Sequence, residues 1–318
     1  MRIVQFSQYG PPGVMEVAEV PEPQAEPGKV RIAVRASGLT PADTYVRSGR
    51  LADIMAIALP YRPGFDAAGV VDQVGEGVTD TAVGDEVFGV TSTGTRAANA
   101  DYAVLSAWAP KPTVWSWAEA GGAGGSVETS TRVMDRLQVG EGDTLLVQGA
   151  AGAVGTVAVQ LANARGTRVI GTASERNHEF LRSLGATPTT YGEGLVERVR
   201  ALAPDGVDAV FDCAGGALAD LVSLAGDASR VVTIADFMNA AAHGVHLSHG
   251  APADEKGRTI GPGADPLALH GLAIAADLAN KGKLRIPIAG TFALADAASA
   301  HELSETRHAR GKIVLVND

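Results

Sequence analysis

Cysteine is nearly absent: Cys213 stands alone in 318 residues. That excludes an intramolecular disulfide and any zinc cluster built on several thiolates, and it suits a reducing compartment such as the cytoplasm. Aromatic residues are few, at 5%. No apolar run reaches the length of a membrane span. The opening Met1-Arg-Ile-Val-Gln-Phe6 reads as a first strand rather than a signal peptide. Basic residues are outnumbered, 26 against 36 acidic, giving a formal charge of −10. With no basic run, this argues against nucleic acid as a partner. What remains is a chain that is 46% apolar and long enough for two domains.

The first part is rich in Gly, Pro and Val. Strand-like runs recur at Arg2–Phe6, Val14–Val20, Lys29–Ser37, Ala67–Val74, Glu86–Val90 and Tyr102–Leu105, punctuated by turns such as Gly10-Pro-Pro-Gly13 and Val83-Gly-Asp85. That spacing predicts a small β-barrel-like domain. Further on, strands alternate with helices. Strands are expected at Thr144–Val147, Arg168–Thr172, Ala209–Asp212 and Arg230–Ile234, with helices at Gly155–Arg165, Asn177–Leu184, Leu195–Ala203 and Ala217–Leu224. This alternation predicts a parallel sheet covered by helices. The tail predicts a helix near Pro266–Lys281, a strand at Ile288–Ala293, a helix at Ala295–Glu305 and a strand at Lys312–Val316. The polar stretch Gly250–Asp265 is the expected flexible loop.

One segment carries chemistry. After the apolar run Thr144–Val147 comes Ala150-x-Gly152-x-x-Gly155, one substitution away from a dinucleotide-binding fingerprint. The first small residue lets the chain turn. Gly152 lets the backbone approach a pyrophosphate, and Gly155 lets a helix pack on the strand. Free N–H groups at the helix start then bind the anion. A helical face follows at Val154, Val157, Ala158, Leu161 and Ala162, closed by Gly166. With 39 glycines in the chain, the pattern alone is weak; the complete β-α-β context gives it weight. At the end of the next strand, Ser174 offers a hydroxyl and Arg176 a partner for a 2′-phosphate, so NADPH is the expected cofactor. Glu175 opposes that reading, and Arg176 also fits a plain solvated cation.

Several longer segments resemble the zinc-independent branch of the medium-chain dehydrogenase/reductase family, the quinone oxidoreductases. They are Ala36-Ser-Gly-Leu-Thr-Pro-Ala-Asp-Thr-Tyr-Val-Arg-Ser-Gly49, Pro63-Gly-Phe-Asp-Ala-Ala-Gly-Val-Val71, Val83–Gly89, Phe211-Asp-Cys-Ala-Gly215, and Gly282–Arg285 through His308–Leu315. The resemblance implies an α/β fold in which a Rossmann doubly wound parallel sheet (116–261) is inserted into a β-rich, barrel-like (GroES-like) catalytic domain (1–115 and 262–318). It also implies an NADPH-dependent reductase of quinones or α,β-unsaturated carbonyls, acting as a cytoplasmic homodimer. By the same resemblance Ala150, Gly152, Val154 and Gly155 hold the pyrophosphate. Ser174 and Arg176 hold the 2′-phosphate, and Tyr191 meets the adenosine end. Cys213, Ala214, Ile234 and Ala235 border the ribose and nicotinamide. Tyr45 faces the substrate, and Thr40 stands where relatives carry Asn. Either could serve as the donor to a developing oxyanion.

Zinc-dependent relatives place a Cys in the segment matching Gly38–Asp43 and a His-Glu pair near Gly64–Asp66. Here Thr40 and Phe65-Asp66 occupy those places, so no metal is expected. His243, His246 and His249 are spaced by three, but the stretch reads as strand and loop rather than a ligand-bearing helix. Two departures from the family stand out. Glu128 falls where relatives carry Thr, either as a displaced surface residue or as part of a reworked pocket. Leu51–Tyr61 is apolar, either a substrate rim or ordinary core. These departures keep other readings open: a nucleotide-binding protein with weak or lost catalysis (a redox sensor or scaffold), or a pathway-specific biosynthetic reductase.

Overall fold

Short β-branched runs broken by Gly and Pro make strands first, and small-residue runs later make helices. The computed structural model describes residues 1–53, 56–92, 94–251 and 264–317. In chain order they form β1 (Arg2–Gln5), β2 (Glu16–Glu19), β3 (Val30–Leu39), α1 (Pro41–Arg47), β4 (Asp66–Val74), β5 (Glu86–Thr91), β6 (Tyr102–Pro110) and α2 (Trp117–Leu137). Next come β7 (Thr144–Gln148), α3 (Ala153–Ala164), β8 (Arg168–Thr172), α4 (His178–Ser183), β9 (Thr187–Thr189), α5 (Leu195–Leu202), β10 (Ala209–Asp212), α6 (Leu218–Ala225), β11 (Val231–Thr233) and β12 (His246–Leu247). Last are β13 (His249–Ala251), β14 (Ala264–Pro266), α7 (Gly271–Asn280), β15 (Ile288–Ala293), α8 (Ala297–Glu305) and β16 (Lys312–Val316).

The chain divides into two units, Met1–Gly125 with Leu272–Asp318, and Ser126–Gly271. In the first, a six-stranded sheet runs β15-β16-β3-β4-β5-β6, and β6 pairs back to β3. Strands β3 to β6 therefore close into the expected barrel-like shape around Val30, Ile32, Val34, Val71, Val87 and Leu105. In the second, six parallel strands run β12-β11-β10-β7-β8-β9. This is the doubly wound α/β sheet expected, with Leu146, Ile170, Val199, Val210, Leu221 and Val231 in one core. On α3, Val157, Ala158, Leu161 and Ala162 are buried as the periodicity requires. Burying each large side chain there stabilises by about 1.5–3 kcal/mol.

Differences from the expected elements have local causes. Pro12–Val14 forms a 3-10 turn, so β2 begins only at Glu16. β6 continues beyond Leu105 because it pairs with β5 as far as Pro110. The helix expected near Pro266–Lys281 starts at Gly271, since Ala264–Pro266 instead pairs in parallel with His249–Ala251. Of the expected flexible loop, residues 252–263 lie outside the described residues.

Helix α2 has the least sequence signal. It carries Gly121, Gly122, Gly124 and Gly125, residues that weaken a helix. Close approach explains them. A Cβ at Gly121 would lie 2.6 Å from the Ala36 backbone, and one at Gly124 would lie 2.4 Å from the Gly89 carbonyl oxygen. The glycines let the helix lie directly on the strands.

Candidate functional site

The sheet order reverses between β7 and β10, since β8 and β9 extend one way and β11 and β12 the other. Ligands of doubly wound sheets bind outside the carboxyl ends of strands at such a switch point. The turn after β7 sits there. Its sharp bend is made by Gly149, at φ +76°, and not by Ala150. That corrects the role read for Ala150 and explains why alanine is tolerated. The Gly149 N–H donates to Thr172 Oγ1 at 3.0 Å, and the Ala150 N–H to the Thr172 carbonyl at 3.0 Å. The turn is thus pinned to the end of β8.

Gly152 is the N-cap of α3 and has no side-chain cap. A Cβ there would meet only the Gly149 carbonyl oxygen, at 3.4 Å, so its outer side is open. A Cβ at Gly155 would lie 2.4 Å from the same oxygen and 2.7 Å from the Ala150 Cα. Gly155 is therefore a packing glycine and Gly152 an access glycine. The N–H groups of Ala153, Val154 and Gly155 have no acceptor among the described residues. They are the orphan donors of a helix N-terminus, carrying its positive dipole end. A diphosphate fits this donor set.

The remaining residues of the expected cofactor site lie at neighbouring strand ends. Ser174 follows β8, half-buried, and its Oγ accepts from Asn177 Nδ2 at 3.3 Å. Arg176 and Glu175 are exposed, and the Arg176 guanidinium has no hydrogen-bond or ion-pair partner among the described residues. Tyr191 is 58% exposed beyond β9. Ala214 packs against the turn, 3.0 Å from where a Gly149 Cβ would stand. Cys213 is half-buried, and burial beside Asp212 pushes its thiol pKa well up, which makes it a poor nucleophile.

Asp212 is a residue the sequence reading left without a role. One oxygen accepts the N–H groups of Ala214 and Gly215, at 3.0 and 2.8 Å, and the other accepts the Thr233 hydroxyl at 2.7 Å. Thr233 Oγ1 in turn accepts the N–H of Ala235 at 3.1 Å, while the Ile234 N–H reaches the Asp212 carbonyl. One buried carboxylate thereby shapes the loops carrying Cys213, Ala214, Ile234 and Ala235. A strand-ending acid before Cys-Ala-Gly-Gly was the available signal.

In the other unit, Thr40 and Tyr45 share α1. Thr40 is the N-cap, and its N–H and hydroxyl both donate to Asp43 Oδ2, at 2.9 and 2.8 Å. Its hydroxyl proton is committed to the cap, so the expected role as donor to a substrate is corrected here. Tyr45 is half-buried, and its phenol oxygen accepts from Arg307 Nη2 at 3.2 Å. The opposite face of α1 is buried: Arg47 pairs with Glu305 of α8. His301 of α8 is buried with neither ring nitrogen hydrogen-bonded among the described residues. Burial lowers its pKa to about 4, with Asp43 opposing and Arg47 reinforcing that shift.

Phe65 and Asp66, which the resemblance sets against the zinc relatives' His-Glu pair, lie at the start of β4. Asp66 is fully buried and forms an ion pair of 2.6 Å with Lys312. Cβ atoms at Gly38 and Gly125 would press on its carboxylate, at 2.6 and 2.7 Å. Burial raises the Asp66 pKa, and Lys312 counters it. Of the apolar Leu51–Tyr61 segment, Ile54 and Met55 lie outside the described residues. Ala52, Ala56, Ala58 and Leu59 are exposed, so this part is surface rather than core.

Glu128 is not a displaced surface residue. It is 1% exposed, and Oε1 accepts from Arg132 Nε at 2.8 Å and from the Ala268 N–H at 3.2 Å. Arg132 continues to Ser248, which donates to Asp265, and Asp265 also meets His246 Nε2 at 2.9 Å and Arg136 Nη1 at 2.8 Å. Burial works against the charged form of Asp265, yet the hydrogen bonds from Ser248 and His246 hold its pKa below the ordinary value. His243 ends a 3-10 turn, while His246 and His249 lie on short strands. Among the described residues no group of three or more His, Cys, Asp or Glu is placed to hold a metal.

Comparison with known proteins agrees with this architecture. Residues 26–139 match the alcohol dehydrogenase GroES-like domain, and residues 184–315 match a family described as zinc-binding dehydrogenase. The solved quinone oxidoreductase from Coxiella burnetii is similar over 100% of this chain and 99% of its own, at 30% identity and a TM-score of 0.80. The chain belongs to the medium-chain dehydrogenase/reductase family, quinone oxidoreductase-like. This medium-chain reductase is 31% identical to rat (Rattus norvegicus) quinone oxidoreductase over 220 residues, which span 67% of this chain and 66% of the rat protein. It is 28% identical to the chloroplastic NADPH-dependent alkenal/one oxidoreductase of Arabidopsis thaliana over 335 residues, covering 99% of this chain and 79% of that protein. Among the described residues no helix is long and apolar enough to cross a membrane.

Proposed function

We propose that this medium-chain reductase uses NADPH to reduce a quinone or an α,β-unsaturated carbonyl compound, without zinc. One observation carries the cofactor half: the uncapped N–H groups of Ala153, Val154 and Gly155 lie at the switch point of the sheet, beside an access glycine. They would hold the diphosphate, with Ser174 and the exposed Arg176 at the 2′-phosphate and Tyr191 toward the adenosine. Cys213, Ala214, Ile234 and Ala235, fixed by Asp212, would border the ribose and nicotinamide. When bound, reduced nicotinamide supplies a hydride, two electrons and a proton in one unit, and is left oxidised. The substrate half is supported by the names of the relatives and by the chain's own residues. By the family resemblance Thr40 and Phe65-Asp66 stand where zinc-dependent relatives carry ligands, which supports a reaction without a zinc alkoxide.

For an enone, hydride adds at the β-carbon, charge develops on the carbonyl oxygen, and water protonates the α-carbon. The protein need only align the partners and place a donor at that oxygen. With Thr40 committed to Asp43, Tyr45 is the donor assigned to this role. The test is NADPH consumption, followed at 340 nm, with a panel of quinones and enones. Turnover of at least one class supports the reading. NADPH binding without turnover across the panel would favour a nucleotide-binding protein that has lost catalysis.

A further inference from the structure

Tyr45 does not stand alone. The Arg307 guanidinium reaches its phenol oxygen at 3.2 Å, and the Arg50 guanidinium carbon lies 5.7 Å from its ring centroid. Both arginines are exposed, and neither has a carboxylate within ion-pair distance among the described residues. The nearest acid in sequence to Arg307 on α8, Glu305, is already paired with Arg47. Two uncompensated cations thus flank one tyrosine in a chain whose net charge is −10.

The backbone sharpens the point. Arg307 follows the C-cap of α8, Thr306, and has φ +55°. That is the left-handed position after a helix where glycine is favoured. An arginine stands there against the local preference, as Arg96, Ala97 and Gln138 do elsewhere, and its side chain is the one that meets Tyr45.

We propose that the substrate carries a carboxylate, and that Arg307 and Arg50 bind it beside Tyr45. The planar guanidinium fork matches a carboxylate, and two such groups leave Tyr45 to the carbonyl end of the same molecule. A carboxylate-bearing α,β-unsaturated ketone satisfies both requirements. This rests on the reading of Tyr45 as the substrate-side residue.

The test compares 3-benzoylacrylate with its methyl ester, NADPH saturating, in the full-length protein. The quantity read is the acid-to-ester ratio of kcat/KM, and intrinsic reactivity cancels when that ratio is compared between variants. In R50Q/R307Q the ratio falls about tenfold, the weight of a lost charge-assisted pair. The loss shows in KM for the acid. In the unaltered protein the ratio also falls as NaCl rises, because the pair is exposed. The single variant R307G lowers the ratio while its Tm holds or rises, since glycine suits φ +55°. A ratio that is the same in R50Q/R307Q and the unaltered protein overturns the carboxylate assignment and leaves the proposed reductase standing. Absence of turnover with any enone or quinone overturns both.

Discussion

Within Ser126–Gly271, the groups offered to a cofactor are mostly main chain: the N–H groups opening α3, exposed because Gly152 lacks a side chain and held because Gly155 lets the helix close on the turn. At α1, in the other unit, the groups on offer are side chains held by side chains. Asp43 holds Thr40, Glu305 holds Arg47, and Arg307 meets Tyr45. The first arrangement depends on where a Cβ is missing, the second on where a charge is balanced. Added methyl groups should break the former, and lost charges the latter. The buried ion pairs show a related contrast. Asp66 relies on Lys312 and is walled in by glycines, whereas Glu128 has Arg132, the Thr129 hydroxyl and the Ala268 N–H.

The largest effect is expected from Lys312→Met. It strands a buried carboxylate, at a cost of about 3–5 kcal/mol. Denaturant unfolding should show that loss, and Lys312→Met combined with Asp66→Leu should recover most of it. Arg132→Met should cost less, because Glu128 keeps two donors. An equal or larger loss from Arg132→Met would erase the contrast.

Next is the acid response of His301. Its folded-state pKa of about 4 lies below the ordinary 6.5, so between those values the unfolded chain binds more protons. Stability is complete above pH 6.5 and declines as pH falls toward 4, by up to about 3 kcal/mol from this group. His301→Gln should flatten that part of the unfolding-versus-pH profile. A profile of unchanged slope would mean that His301 is not buried neutral.

Gly155 and Gly152 separate packing from access. Gly155→Ala gains about 1 kcal/mol of helix propensity. It also forces a Cβ to 2.4 Å from a backbone oxygen. Overpacking of that kind costs about 1–3 kcal/mol, so a lowered Tm is expected. Gly152→Ala, at φ −78°, should leave Tm unchanged and raise the Kd for NADPH. If both variants melted normally, the helix would not be seated as closely as described.

What was legible in the sequence follows the same division. The run from Thr144 to Gly166 announced its strand, turn and helix because periodicity and glycine spacing are local signals, and the structure places β7 and α3 there. Helix α2 was not legible, because the reason for its glycines lies in strands elsewhere, at Ala36 and Gly89. Gly149 was overlooked beside a better-known pattern that starts one residue later. The α1 site was the least legible part. Arg47 and Glu305 are 258 residues apart, and nothing local to either marks the other. Thr40 was misread for a related reason, since its hydroxyl's partner, Asp43, is visible in sequence but its commitment to the cap is a matter of geometry.

The smallest expected effect is the most specific. Arg176 is exposed and has no ion-pair partner among the described residues, so its removal should leave stability untouched and act only on what it binds. Arg176→Ala should weaken NADPH by about tenfold, the weight of one charge-assisted contact. NADH, lacking the 2′-phosphate, should bind as before, and the NADPH loss should shrink as salt is raised. Glu175 gives the complementary arm. It is exposed beside Arg176, so Glu175→Gln removes a repelling charge and should tighten NADPH modestly while leaving NADH unchanged. Equal effects on both cofactors in Arg176→Ala would remove the 2′-phosphate role. They would leave the orphan N–H groups of α3 as the basis for binding, and those groups read the diphosphate common to both cofactors.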